Sequence, residues 1–96
     1  MTRTSVVNIK KNEEYDVYIG RPGKGLHSEF GNPFPVPMYT IFRSLQLYEQ
    51  YVRAKLVSDP SFKTKIMSLK GKRLGCFCKP NLCHGDILVK IIHELS

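Results

Sequence analysis

Apolar positions along the chain change period several times, and each change marks an element. Ser5-Val6-Val7-Asn8-Ile9 and Tyr15-Asp16-Val17-Tyr18-Ile19 are short β-branched or aromatic runs joined by a polar stretch. They predict two strands, paired as a hairpin or lying as neighbours. Gly20, Pro22, Gly23, Gly25, Gly31, Pro33, Pro35 and Pro37 then break every regular period, so this region reads as a long loop. Loops of that length inside small domains tend to carry function, which makes it a candidate binding surface. Ile41, Leu45, Tyr48, Val52 and Leu56 recur at spacings of three and four and predict a helix from about residue 39 to residue 57. Ser58-Asp59-Pro60 supplies a cap and a first-turn proline for a shorter helix carrying Phe62, Ile66 and Leu69, with Gly71 as its stop. Arg73-Leu74-Gly75-Cys76-Phe77-Cys78 reads as a third strand, and Ile87, Leu88, Ile91, Ile92 and Leu95 mark a strongly amphipathic last helix. The order predicts an α/β fold: a single domain over residues 1–96, with a small mixed sheet of about three strands and about three packed helices. The crossover between the second and third strands is long enough for a parallel pairing.

Composition narrows the setting. No apolar run approaches the roughly 18 to 20 residues of a membrane helix. The opening Met1-Thr2-Arg3-Thr4-Ser5 leads into a strand without a signal-peptide stretch. A cytoplasmic protein without a membrane partner is expected. Fifteen Lys and Arg against eight Asp and Glu give a formal charge of +7 on 96 residues. That excess creates a positive potential that attracts phosphates, so a nucleotide or nucleic acid is the expected partner; the competing reading is that the charge serves solubility.

The chemistry concentrates in one segment. All three cysteines fall in Cys76-x-Cys78-x4-Cys83-His84, a turn between a strand's end and a helix's start. A reducing compartment disfavours disulfides, and three sulfurs with one imidazole form the ligand set of a closed tetrahedral zinc site. Zinc held by Cys76, Cys78, Cys83 and His84 is therefore the expected cofactor. The strand alternation puts Cys76 and Cys78 on one face, whereas adjacent Cys83 and His84 must diverge to meet one metal. A competing reading is a reactive thiol: Cys83 at a helix N-terminus is biased toward thiolate, with His84 as base or orienting partner and Asp86 as cap or tuner. The plainest reading leaves the cysteines as small core residues and His84-Gly85-Asp86 as a capping turn.

In the loop, Gly20-Arg21-Pro22-Gly23-Lys24-Gly25 follows a strand, and Arg21 and Lys24 are placed to pair with phosphate oxygens. The segment satisfies neither the P-loop nor the dinucleotide fingerprint. Gly31-Asn32-Pro33-Phe34 reads as a turn in which Asn32 bonds its own backbone and Phe34 anchors the loop or stacks on a base. Arg43 stands near a helix start, where a cation is unfavourable for the dipole, and so calls for a partner such as a phosphate or Asp86.

Together, Val17-Tyr18-Ile19-Gly20-Arg21, Gly31-Asn32-Pro33-Phe34, Arg43, Tyr48, Leu74-Gly75-Cys76-Phe77-Cys78-Lys79-Pro80 and Cys83-His84-Gly85-Asp86 resemble the signature of domain of unknown function 4326. The resemblance spans nearly the whole chain and implies a small bacteriophage or bacterial protein with an α/β domain. The chain departs from the pattern at Glu29-Phe30 before Gly31, in a longer loop upstream, and at Phe77, where members often carry Trp. The resulting expectation is an accessory protein that binds a nucleotide or nucleic-acid phosphate through Arg21, Lys24, Asn32, Arg43 and Asp86, next to the zinc cluster. The alternatives are an enzyme acting on nucleotides or nucleosides through Cys83, His84 and Asp86, and a protein that inhibits a host factor by binding it.

Overall fold

The computed structural model describes residues 3–11, 14–20, 28–34, 40–76 and 83–96. Within them run strand β1 (Ser5–Asn8), a 3-10 turn (Ile9–Lys11), strand β2 (Val17–Tyr18), helices α1 (Ile41–Ser58) and α2 (Pro60–Met67), strand β3 (Arg73–Cys76) and helix α3 (His84–Leu95). Three strands and three helices match the expected α/β class.

The first two strands form neither the expected hairpin nor a neighbouring pair, and the sheet is parallel rather than mixed. The sheet order is β1-β3-β2, so β3 lies between the two N-terminal strands. Both pairings are parallel, with Val6 and Val17 flanking Leu74 on either side. Alternating β-branched runs identify strands without naming their partners, and here the partner lies more than fifty residues downstream. The chain therefore leaves β1 at one end of the sheet and re-enters β2 at the other. It passes over the face of β3 at Gly75, where an added Cβ would fall 2.7 Å from Tyr15 Cγ and 2.9 Å from Ile9 Cδ1. Only a residue without a side chain lets this strap lie so close. Leu74 and Cys76 point to the opposite face, into the core shared with Tyr48, Phe62, Ile66 and Leu88. The two crossovers run in opposite directions along the sheet and lie on opposite faces, so they share one hand.

The helices begin where local chemistry permits. Thr40 caps α1, its hydroxyl accepting from the Arg43 amide at 3.1 Å. Asp59 caps α2 by taking the Ser61 amide at 3.1 Å, ahead of Pro60 in the first turn. Gly71, at φ 79°, turns the chain into β3 and donates its amide to Thr4 Oγ1 at 2.7 Å. The stripes expected from periodicity form the core: Tyr48 and Val52 of α1, Phe62 and Ile66 of α2, and Leu88, Ile91 and Ile92 of α3 are buried. Full burial of such side chains stabilises by about 1.5–3 kcal/mol each, before the entropy of ordering them.

Helices α1 and α3 run parallel. The Tyr48 ring meets the His84 ring, Glu49 pairs with Lys90 at 3.2 Å, and Arg53 pairs with Glu94 at 2.8 Å, so positions advance together on both helices. Their N-termini consequently lie at one end, the end at which the parallel strands finish. Among the described residues, no helix is long and apolar enough to cross a membrane.

Candidate functional site

β3 ends at Cys76 and α3 begins after Cys83, so the strand-to-helix turn returns two thiols to the same place. Their sulfurs lie 3.0 Å apart and both are buried, well beyond the about 2.05 Å of a disulfide bond. Cys83 is the N-cap of α3: its Sγ accepts from the Gly85 amide at 3.4 Å, and its own amide donates to Asp86 Oδ2 at 3.1 Å. This is a capping box with a thiol in place of the usual hydroxyl. It explains Asp86 at the third helical position and takes up one of its carboxylate oxygens.

His84 is held from three sides. Its Nε2 lies 2.6 Å from the Ile19 carbonyl oxygen, its Nδ1 lies 3.6 Å from Cys83 Sγ, and its ring stands edge-on to Tyr48 at 5.2 Å between centroids. A carbonyl only accepts, so in the neutral ring Nε2 carries the proton and the Nδ1 lone pair faces the thiol. Metal-binding histidines are commonly oriented by one ring nitrogen donating to a backbone carbonyl, as Nε2 of His84 does here. Tyr48 in turn donates its hydroxyl to the Phe30 carbonyl, and burial pushes its phenol pKa up, so it stays a donor. A close approach of α3 to the sheet completes the arrangement: an added Cβ on Gly85 would fall 2.8 Å from Ile19 Cδ1 and 2.9 Å from Val6 Cγ2.

The family model described as Domain of unknown function (DUF4326) matches residues 5–94. The chain belongs to the DUF4326 family. It is also 36% identical over 52 residues to an "Uncharacterized 12.4 kDa protein in nrdA-td intergenic region" of Enterobacteria phage T4, an overlap of 54% of this chain and 48% of that protein. The match thus spans about half the length of its curated relative. No solved structure matches.

The DUF4326 signature residues fall into two groups in space. Cys76, Cys83, His84 and Asp86 meet at the turn just described. Asn32 and Phe34 instead join the start of α1: Asn32 Nδ2 donates to Ser44 Oγ at 2.8 Å, Ser44 donates to the Phe34 carbonyl at 2.6 Å, and the Phe34 amide donates to Asn32 Oδ1 at 2.9 Å. Asn32 and Ser44 are both buried, so this closed ring of bonds pins the loop to the helix. Arg43 is exposed, its guanidinium donating to Gln46 Oε1 at 2.7 Å along its own helix. It stands on the flank of α1 turned away from the Glu49 and Arg53 side that meets α3, and so away from Asp86. Arg21, Lys24 and Cys78 lie outside the described residues. Among those described, no three or more His, Cys, Asp or Glu side chains form a group that could hold a metal ion.

Several contributors carried no sequence signal. Asn8 is buried on the same face as its register partner Cys76. Ser44 looks like any polar helix residue until its loop partners are known. The Ile19 carbonyl is backbone, and no residue pattern announces it.

Proposed function

We propose that this protein binds a phosphate-bearing ligand, a nucleotide or nucleic acid, in the bacterial cytoplasm, and that zinc braces the turn beside the binding edge. The observation that carries the reading is the convergence of one edge: the parallel strands finish there, α1 and α3 both start there, and the Cys76, Cys83 and His84 donors sit between them. Open parallel sheets take ligands beyond their strand ends, and helix N-termini favour anions. The first-turn amides of α3 are partly committed to its own cap. The anion therefore falls to the start of α1, to Arg43 and to the cations Arg21 and Lys24 that follow β2 in sequence. Asp86 would orient the ligand from the cap of α3, and Asn32 shapes the loop.

The donor chemistry suits zinc. Around a tetrahedral zinc, a sulfur and a nitrogen ligand stand about 3.6 Å apart and two sulfurs about 3.8 Å apart. The Cys83–His84 separation of 3.6 Å fits, and the 3.0 Å between sulfurs is short by less than 1 Å. Cys78, two residues further along the sequence and outside the described residues, would supply the fourth ligand. The burial of Cys83, 1% exposed, favours this structural role over the alternative of a nucleophile acting with His84 and Asp86, which would need an open approach.

Elemental analysis of protein purified without added metal tests the brace: about one zinc per chain is expected, lost in Cys83→Ser. Metal-free protein in which Cys83 alkylates rapidly would replace the brace with the reactive thiol. Titration with a labelled oligonucleotide at two salt concentrations tests the ligand. Binding should weaken steeply as salt rises, and no binding at low salt would remove the proposal.

A further inference from the structure

Each acidic side chain among the described residues already has a partner. Arg73 holds Glu14 and Asp16, Lys65 holds Glu29, and Arg53 with Lys90 holds Glu49. Glu94 pairs with Arg53, while Asp59 and Asp86 accept amides at the starts of α2 and α3. The excess positive charge is therefore left on other cations, and two of them, Arg3 and Lys70, line one open cleft of about 730 Å³. Both are exposed, and neither has an acidic partner among the described residues. The bond from the Gly71 amide to Thr4 Oγ1 ties the approach to β1 to the turn after α2, which sets both cations where the strands begin. The facing wall is α3, where Asp86, Lys90 and His93 follow one flank of the helix at spacings of four and three. Lys90 is engaged by Glu49, and Glu94, which also lines the cleft, by Arg53, so the charge left uncompensated in the cleft is that of Arg3 and Lys70.

We propose that this cleft holds the phosphodiester backbone of a nucleic acid strand. The choice of a nucleic acid rests on the phosphate binding proposed above, and the cleft adds that the ligand is a polymer. A lone phosphate would leave most of its volume to water, and no aromatic side chain among its described lining residues offers a base a stacking face. Contacts are then to phosphates and carry no sequence preference. Arg3 and Lys70 lie where the strands begin, and the start of α1 where they finish, so the two lie toward opposite ends of α3, whose 12 residues span about 18 Å. At about 3.4 Å per nucleotide of a helical strand, that distance takes roughly five nucleotides, and a mononucleotide reaches one end only.

Fluorescence anisotropy of a labelled single-stranded oligonucleotide longer than that span, read over a salt series, tests the proposal. Each phosphate contact contributes about 0.7 to the slope of log affinity against log salt for a single strand, so Arg3→Ala combined with Lys70→Ala should flatten the slope by about 1.4. The change should be the same for strands of different sequence. Cations here also offset the C-terminal ends of α2 and α3, a role in stability alone. The charge-keeping variant Arg3→Lys with Lys70→Arg should therefore retain the parent slope; if it loses the slope as well, the two residues serve the fold and the proposal falls. A slope unchanged in the alanine pair but flattened by Arg43→Ala would overturn the cleft and leave the phosphate edge standing. A slope flattened by the alanine pair and untouched by Arg43→Ala would uphold the cleft and remove Arg43 from the edge. No binding by the parent at low salt would remove both.

Discussion

Gly85→Ala tests how closely α3 is seated on the sheet. In an open helix the change would stabilise, since Ala is better than Gly by up to about 1 kcal/mol, and by less in a first turn. Here the new methyl meets Ile19 Cδ1 at 2.8 Å and the two γ-carbons of Val6 at 2.9 and 3.0 Å. Carbon pairs prefer about 3.5–4.0 Å, so each neighbour would have to retreat by half an ångström or more. Val6 is β-branched and stiff, and Ile19 is fully buried, so neither has an easy alternative rotamer. Overpacking of this kind costs about 1–3 kcal/mol, which outweighs the propensity gain and leaves a net loss of about 1–2 kcal/mol. For a domain of this size that corresponds to a fall in melting temperature of roughly 4–8 °C per kcal/mol. Urea unfolding monitored by circular dichroism reads the change as a lower midpoint at constant slope. Val6→Ala removes two of the three close atoms, so the double variant should recover part of the loss, a coupling of about 0.5 kcal/mol or more. A Gly85→Ala protein as stable as the parent would show that α3 does not approach the sheet as described.

Two further outcomes are expected. Asp16 accepts from the Arg73 guanidinium and amide, which holds its carboxyl pKa down at about 2 instead of 3.8. A depressed folded pKa contributes stability that is complete above the unfolded value and is lost as pH falls from about 4 toward 2. Carbon-detected NMR titration should place the Asp16 midpoint near that low value, and Arg73→Met should return it upward; an unchanged midpoint would refute the pairing. Asn32→Ala and Ser44→Ala each leave a buried partner of the loop ring unsatisfied, costing about 1–3 kcal/mol. Their double variant should cost clearly less than the two added together, and strict additivity in denaturant unfolding would show that they act separately.

What the sequence revealed and what it hid follow from the range of the interactions. Helical stripes and caps are local, so Leu45, Tyr48 and Val52 on α1 and the Asp59-Pro60 start of α2 were legible from spacing alone. The clustering of cysteines marked the strand-to-helix turn, where Cys76 and Cys83 come together. Strand partnership is not local: β1 and β2 looked like each other's neighbours because the residue that lets the chain pass over β3, Gly75, lies far downstream. Asn32 showed in the sequence its capacity to bond but not its partner across twelve residues, Ser44. That α1 and α3 run parallel needed two ion pairs between the helices before it could be seen.

The insertion of β3 between the first two strands sets the order in which the molecule can be made. Ser5 must wait for Arg73, and Val17 for Leu74, before either N-terminal segment gains a hydrogen-bonding neighbour in the sheet. On the ribosome those segments emerge early and stay unsatisfied until β3 has been synthesised, so closure of this sheet is a late event dominated by distant contacts.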